Sequence, residues 1–178
     1  GIGSFFTYTS GINTYLTTYN ENYIFSTIQI GSATLVAGSI DSTFVYGTGF
    51  NGGVNSIVVQ SDGKILVGGN FSSYNGTGAN NIIRLTTLGA VDGTFVYGTG
   101  FDSTAISIAI QSDAKILIAG NFTSYNGTGA NRVIRLTTLG AVDGTFVYGT
   151  GFNFLVNSIA IQSDGKILVG GAFSDYNG

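Results

Sequence analysis

The side chains able to do chemistry in this chain recur at an interval of 51 residues. Lys64, Lys115 and Lys166 form one series, Asp62, Asp113 and Asp164 a second, Asp41, Asp92 and Asp143 a third, and Arg84 and Arg135 a fourth. An active site is normally one constellation, whereas a residue that returns in every repeat is placed to hold the repeat together. Asp62 reads as a turn residue, Asp92 as an acceptor of backbone hydrogen bonds just before Phe95, and Arg84 as a strut that pairs with one of these carboxylates. The charges that break the series are Glu21, Asp102, Arg132 and Asp175, too few and too scattered along the chain for a carboxylate pair. His and Cys are both absent, which removes the commonest general base, thiolate ligands and the usual nucleophilic triads. The expectation is a protein that is not an enzyme, without a cofactor or a metal.

Aromatic residues offer a different chemistry. Tyr74, Tyr125 and Tyr176 recur in S-Y-N-G or D-Y-N-G loops, each followed by an amide at Asn75, Asn126 and Asn177. Exposed tyrosines flanked by amides stack on sugar rings while the amides bond hydroxyls, so these six residues are the candidate glycan or partner site. The alternative is that the rings, with Tyr46, Tyr97 and Tyr148, pack between repeats beside small Gly-Gly pairs. The glycine-rich GTGF and NGTGAN stretches are turns and not phosphate loops, because neither opens a helix and no G-K-[ST] follows. Residues 72–80 lack the carboxylate that a hard cation wants. Asn70, Asn75, Asn121 and Asn126 fit N-x-[ST], which matters only in a glycosylating setting.

The elements that must position these residues are written around one phrase. QSDGKILVGG at 60–69 returns as QSDAKILIAG at 111–120 and as QSDGKILVGG at 162–171. Asp62 and Gly63 suit the two central positions of a type I′ hairpin turn, between short apolar strands at 56–60 and 64–68. Ala114 resists positive φ, so a different turn is expected in the second copy. A loop at 72–80, a third strand at 81–87, a turn at 88–93 and a fourth, outer strand at 94–97 complete the unit. Residues 52–102 and 103–153 agree at 38 of 51 positions, and many of the differences are conservative apolar swaps of the kind that cores tolerate.

The chain therefore reads as a single repeat domain over 1–178: a degenerate first blade at 1–51, blades at 52–102 and 103–153, and a half blade at 154–178. Residues 4–9 and 14–19 fall where the first hairpin should lie, and their divergence suits a capping unit. About four short strands per 51 residues, with no helical periodicity, predicts an all-β fold of tandem four-stranded propeller blades. A β-solenoid or a trimeric β-fibre is the structural rival.

Composition sets outer bounds. Charged residues make up 8% of the chain and the net charge is −3, so no basic surface exists to neutralise nucleic acid phosphates. No apolar run approaches the roughly 20 residues that span a bilayer, and no basic segment followed by an apolar one opens the chain. Met is absent, so a processed product or a piece of a longer protein is expected.

The pattern from Val58 to Phe71, Asn75 and Gly76, Arg84 and Leu85, and Asp92 to Phe95, repeated from Ala109 to Phe146, resembles the delta-sixty repeat family of β-propellers. The resemblance covers about residues 38–178 and implies propeller blades. It supplies no reaction or ligand, and members resemble surface, secreted or phage virion proteins. Three and a half units leave sheet edges to be covered, and two copies would sum to seven units but in the wrong phase, so association with other chains is expected. The functional expectation is a structural or binding module of a virion or extracellular surface, in assembly or in host or glycan attachment. The alternative is a fragment of a secreted carbohydrate-active enzyme.

Overall fold

In the computed structural model, the described residues are the strands within 5–36 and the whole of 41–178. They contain no helix. The chain divides into two units, Gly1–Thr43 and Phe44–Gly178.

The first unit is an antiparallel meander of β1 (Phe5–Ser10), β2 (Asn13–Asn20), β3 (Tyr23–Ile30) and β4 (Ala33–Val36), paired in that order. Tyr8 sits opposite Tyr15, Leu16 opposite Thr27 and Ile28 opposite Leu35. The expected first hairpin is therefore present. The capping role expected of this segment depends on side chains outside the described residues.

The second unit repeats one plan. β5 (Gly53–Val59), β6 (Ile65–Asn70) and β9 (Ile82–Leu85) form an antiparallel sheet, with the hairpin of β7 (Ser73–Tyr74) and β8 (Thr77–Gly78) inserted between its last two strands. The plan recurs as β10 (Ala105–Ile110), β11 (Ile116–Gly120) and β14 (Val133–Leu136), with β12 (Ser124–Tyr125) and β13 (Thr128–Gly129). It restarts as β15 (Val156–Ile161) and β16 (Ile167–Gly171). None of these sheets closes on itself, and the fold is that of an incomplete β-propeller.

The turn chemistry departs from expectation in an instructive way. Of Asp62 and Gly63, Gly63 alone has positive φ, at 81°. Its N–H bonds the Gln60 carbonyl at 2.9 Å, the Gln60 N–H bonds the Lys64 carbonyl at 2.8 Å, and Asp62 Oδ1 accepts from the Lys64 N–H at 3.1 Å. This is a three-residue loop ending in a left-handed position and not a type I′ turn. Ala114 takes that same conformation at φ 63°, with the equivalent bond to Gln111, so the second copy keeps the turn. Loop 72–80 is itself a tight hairpin. Asn75 and Gly76, at φ 48° and 77°, form the Asn-Gly turn between β7 and β8.

The fourth strand expected at 94–97 is absent. In its place Val91 makes a single bridge to Leu85, and the chain then turns. Asp92 causes the turn: its Oδ1 accepts from the Thr94 N–H at 3.0 Å and the Thr94 hydroxyl at 2.7 Å. The next two N–H groups are also taken outside any ladder, Phe95 bonding the Asp92 carbonyl at 3.1 Å and Val96 the Leu139 carbonyl at 2.8 Å.

The central strands β6 and β11 are buried on both faces, which is why their sequence is a continuous apolar run and not an alternation. Alternate residues serve alternate junctions. Leu66 and Ile82 of the first sheet pack against Ala105, Ile108, Ile116 and Ile118 of the second, while Leu117, Ala119 and Val133 pack against Val156 and Ile159 of the third. The inner strands are also joined by hydrogen bonds: the Ile108 N–H to Ser56 Oγ at 3.1 Å, and the Ile159 N–H to Ser107 Oγ at 3.2 Å.

Candidate functional site

Tyr74 and Tyr125, expected as exposed stacking platforms, are core residues. They are 2% and 0% exposed and stack on Phe50 at 4.6 Å and Phe101 at 4.7 Å between ring centres. Each hydroxyl donates to a turn carbonyl, Tyr74 to Gly89 at 2.9 Å and Tyr125 to Gly140 at 2.8 Å. Burial pushes both phenols above their ordinary value. A large ring with its hydroxyl satisfied is a good filler, and these two fill the space under the following turn. Tyr176 stacks on Phe152 in the same way but is 48% exposed.

The amides are equally committed. Asn75 Oδ1 accepts from the Gly49 N–H at 2.8 Å, Asn126 Oδ1 from the Gly100 N–H at 2.9 Å, and Asn177 Oδ1 from the Gly151 N–H at 3.2 Å. All three residues have positive φ, which short amides adopt readily. They tie the hairpin tip to the G-T-G turn of the incoming chain. Among the six candidate residues, Tyr176 alone presents a substantially open aromatic face.

The repeated charges form struts. Arg84 is 3% exposed and donates from Nε to Asp92 Oδ2 at 2.8 Å, with Phe95 beneath its guanidinium at 4.8 Å. Two further donors reach Thr94 Oγ1 at 3.0 Å and, across the sheet junction, the Thr138 carbonyl at 2.6 Å. Lys64 lies 3.2 Å from Asp92. Burial alone would raise the Asp92 carboxyl; the hydrogen bonds from Thr94 and Lys64 and the charge of Arg84 outweigh it and hold the group well below the usual range. Arg135, Asp143 and Lys115 repeat the arrangement. The Thr145 hydroxyl and N–H are the main reason that Asp143 is held low.

Three of the charges that break the series, Asp102, Arg132 and Asp175, line clefts at the sheet junctions, while Glu21 lies outside the described residues. A cleft of about 560 Å³ at the first sheet junction is lined by Asn51, Asn80, Asn81, Thr99, Asp102 and Ser124. Its equivalent at the next junction, about 290 Å³, is lined by Asn131, Arg132, Thr150, Asn153 and Asp175. Asp102, Arg132 and Asp175, distant in sequence, thus all reach the same level of the repeat. Asp102 Oδ1 accepts from the N–H groups of Thr123 and Ser124 at 2.8 and 3.0 Å, as Asn51 does from Ser72 and Ser73. Burial opposes ionisation of Asp102, but these bonds prevail and keep it below the ordinary carboxylate value. Arg132 donates to the carbonyls of Asn121 and Phe122. Each cleft holds one carboxylate among amides, hydroxyls and backbone groups, joined in the second by the Arg132 guanidinium, a lining that suits hydrogen bonding to a polar ligand better than catalysis by a carboxyl pair. The sequence signal for these clefts was departure from the repeat at 102, 132 and 175.

A family model described as domain of unknown function (DUF5122) beta-propeller matches residues 60–95, 111–146 and 162–178. No curated protein and no solved structure matches the chain. The first two matched segments each open at the Q-S-D turn, run through the buried Arg strand and end on the Asp and Phe of the strut, and the third opens at the same turn, so the motif and the contacts it makes coincide: the chain belongs to the DUF5122 beta-propeller family.

Proposed function

We propose that this chain is a non-enzymatic structural and binding module of a virion or extracellular surface, working in assembly and in attachment to a host or glycan surface. One observation carries the reading: the repeated charges are consumed by the frame, and the clefts left at the sheet junctions have polar linings with a single carboxylate each. A site with amides, hydroxyls and a single carboxylate holds a polyhydroxylated ligand and lacks the second carboxyl group that acid–base cleavage uses. The resemblance of the repeat phrase to delta-sixty repeats supports the location, since members of that family resemble surface, secreted and phage virion proteins.

The test is binding of the full chain to a glycan array and to host-cell surfaces. Thr99→Trp places a large ring in the wider cleft and is expected to weaken glycan binding at least about tenfold, with unchanged circular dichroism. Binding that survives this substitution overturns the cleft as the attachment site, and binding to no surface at all leaves an architectural role. Turnover of a bound glycan, lost on Asp102→Asn or Asp175→Asn, would replace the module reading with that of a carbohydrate-active enzyme.

A further inference from the structure

At one position the second sheet junction departs from the first in a way that leaves a cation without a partner. Asn81, at φ 66°, donates from Nδ2 to the Phe101 carbonyl at 3.0 Å, and its counterpart Arg132 keeps the same left-handed conformation at φ 68°. Asparagine takes that conformation readily and arginine does not, so the exchange carries a local cost. The guanidinium turns back on its own repeat, where Nη1 donates to the Asn121 and Phe122 carbonyls at 2.8 and 3.1 Å. The other edge is unused. Nε is buried without a hydrogen bond, the one side-chain nitrogen or oxygen in that state among the described residues, and Nη2 has no partner there either. Charge pairing singles out the same residue. Lys64, Arg84, Lys115, Arg135 and Lys166 each lie within 3.2 Å of a carboxylate oxygen, whereas Arg132 has no ion pair among the described residues.

We infer that the cleft at the second junction binds the carboxylate of an acidic sugar, with Arg132 as the residue that selects it. The inference rests on the reading of the clefts given above and names the ligand class of one of them. Arg132 lines that cleft, and Nε with Nη2 forms the side of a guanidinium that grips a carboxylate through two parallel hydrogen bonds. Two carbonyls hold Nη1, so the group is oriented before a ligand arrives and loses little freedom on binding. Groups for hydroxyls stand around it: the Thr150 side chain, and the Asp175 carboxylate, which accepts from hydroxyl donors and repels a densely anionic ligand such as an acidic peptide. A volume of about 290 Å³ lies at the lower end of ligand pockets and suits one sugar residue at a time. The opening belongs to the repeat, because the cleft at the first junction, lined by the corresponding Asn80, Asn81, Thr99 and Asp102, is wider although the chain continues through the next sheet. That first cleft has Asn81 in place of Arg132 and a carboxylate as its one charge, so it is the internal comparison without a grip on an anion.

Isothermal titration of the full chain with trigalacturonate and with its methyl ester tests this. The acid is expected to bind at least about tenfold more tightly than the ester, with a preference that shrinks as salt rises. Arg132→Asn installs the residue of the first junction, which is at ease with positive φ, so this variant is expected to fold with unchanged circular dichroism. It should lose the preference for the acid and keep the wild-type affinity for the ester. Arg132→Lys keeps the charge but lacks the fork, and should retain only part of the preference. A wild-type chain that binds acid and ester equally, or a preference that Arg132→Asn leaves intact, overturns the inference, as does tetraglutamate bound as tightly as trigalacturonate. Binding of neither probe overturns it too, and glycan-array binding by the same chain would then leave attachment standing. Acid binding lost in Arg132→Asn, by a chain that attaches to no cell surface, would support this site and count against the attachment reading.

Discussion

The tyrosines show how a residue that reads as a binding group becomes a structural one. Aromatic type and loop position are the same for a sugar platform and for a core plug; what decides is whether another segment covers the ring. For Tyr125 the cover is the turn at Gly140, and its hydroxyl is the last polar atom to be satisfied in an apolar pocket. Tyr125→Phe strands that carbonyl and is expected to cost about 1–2 kcal/mol by denaturant melts, while Tyr176→Phe, open to water, should cost under about 0.5 kcal/mol. The carboxylates give a pH dependence with a definite sign. Asp92 and Asp143 are held below their unfolded value, so the unfolded chain binds protons first as pH falls, and stability is lost below about pH 4. Tyr74 and Tyr125 are raised, so their contribution is complete below the unfolded phenol value near pH 10 and is lost above it. The melting temperature should be flat from about pH 5 to about pH 9 and fall at both ends in thermal scans.

At the scale of the element, the hairpin shows the limit of reading a dipeptide as a turn. Asp-Gly is compatible with two loops, and the choice fell to the one in which aspartate keeps ordinary φ and caps the Lys64 N–H while glycine alone goes left-handed. That choice explains why Ala114 is tolerated: one strained residue costs about 1–2 kcal/mol, and a turn needing two such residues would cost twice that. Ala114→Gly removes the strain but frees the unfolded chain, and should give a net gain of about 0.5 kcal/mol in the unfolding free energy. The missing fourth strand has the same origin. T-F-V-Y has good strand propensity, yet Asp92 captures the Thr94 donors first, and Phe95 is then used beneath Arg84 as a platform. Propensity lost to a local side-chain hydrogen bond, as it often does beside Asp.

For the whole molecule, stability lies in the sheet junctions more than in any one sheet, since a three-stranded sheet cannot bury both of its faces alone. Leu117, buried between the second and third sheets, and Leu168, its exposed counterpart, provide the comparison. Leu117→Ala should cost about 2–5 kcal/mol in equilibrium unfolding and Leu168→Ala under about 0.5 kcal/mol. The 51-residue period, the apolar central strands and the repeat-locked charges already dictated the blade architecture and the strut role of Arg84 in the sequence, because period and burial pattern are local properties written once per unit. Which turn forms, which tyrosine is covered and which scattered charges share a cleft were decided by tertiary structure, because each depends on a neighbour one repeat away, and identical residues meet different neighbours at the middle of the array and at its ends.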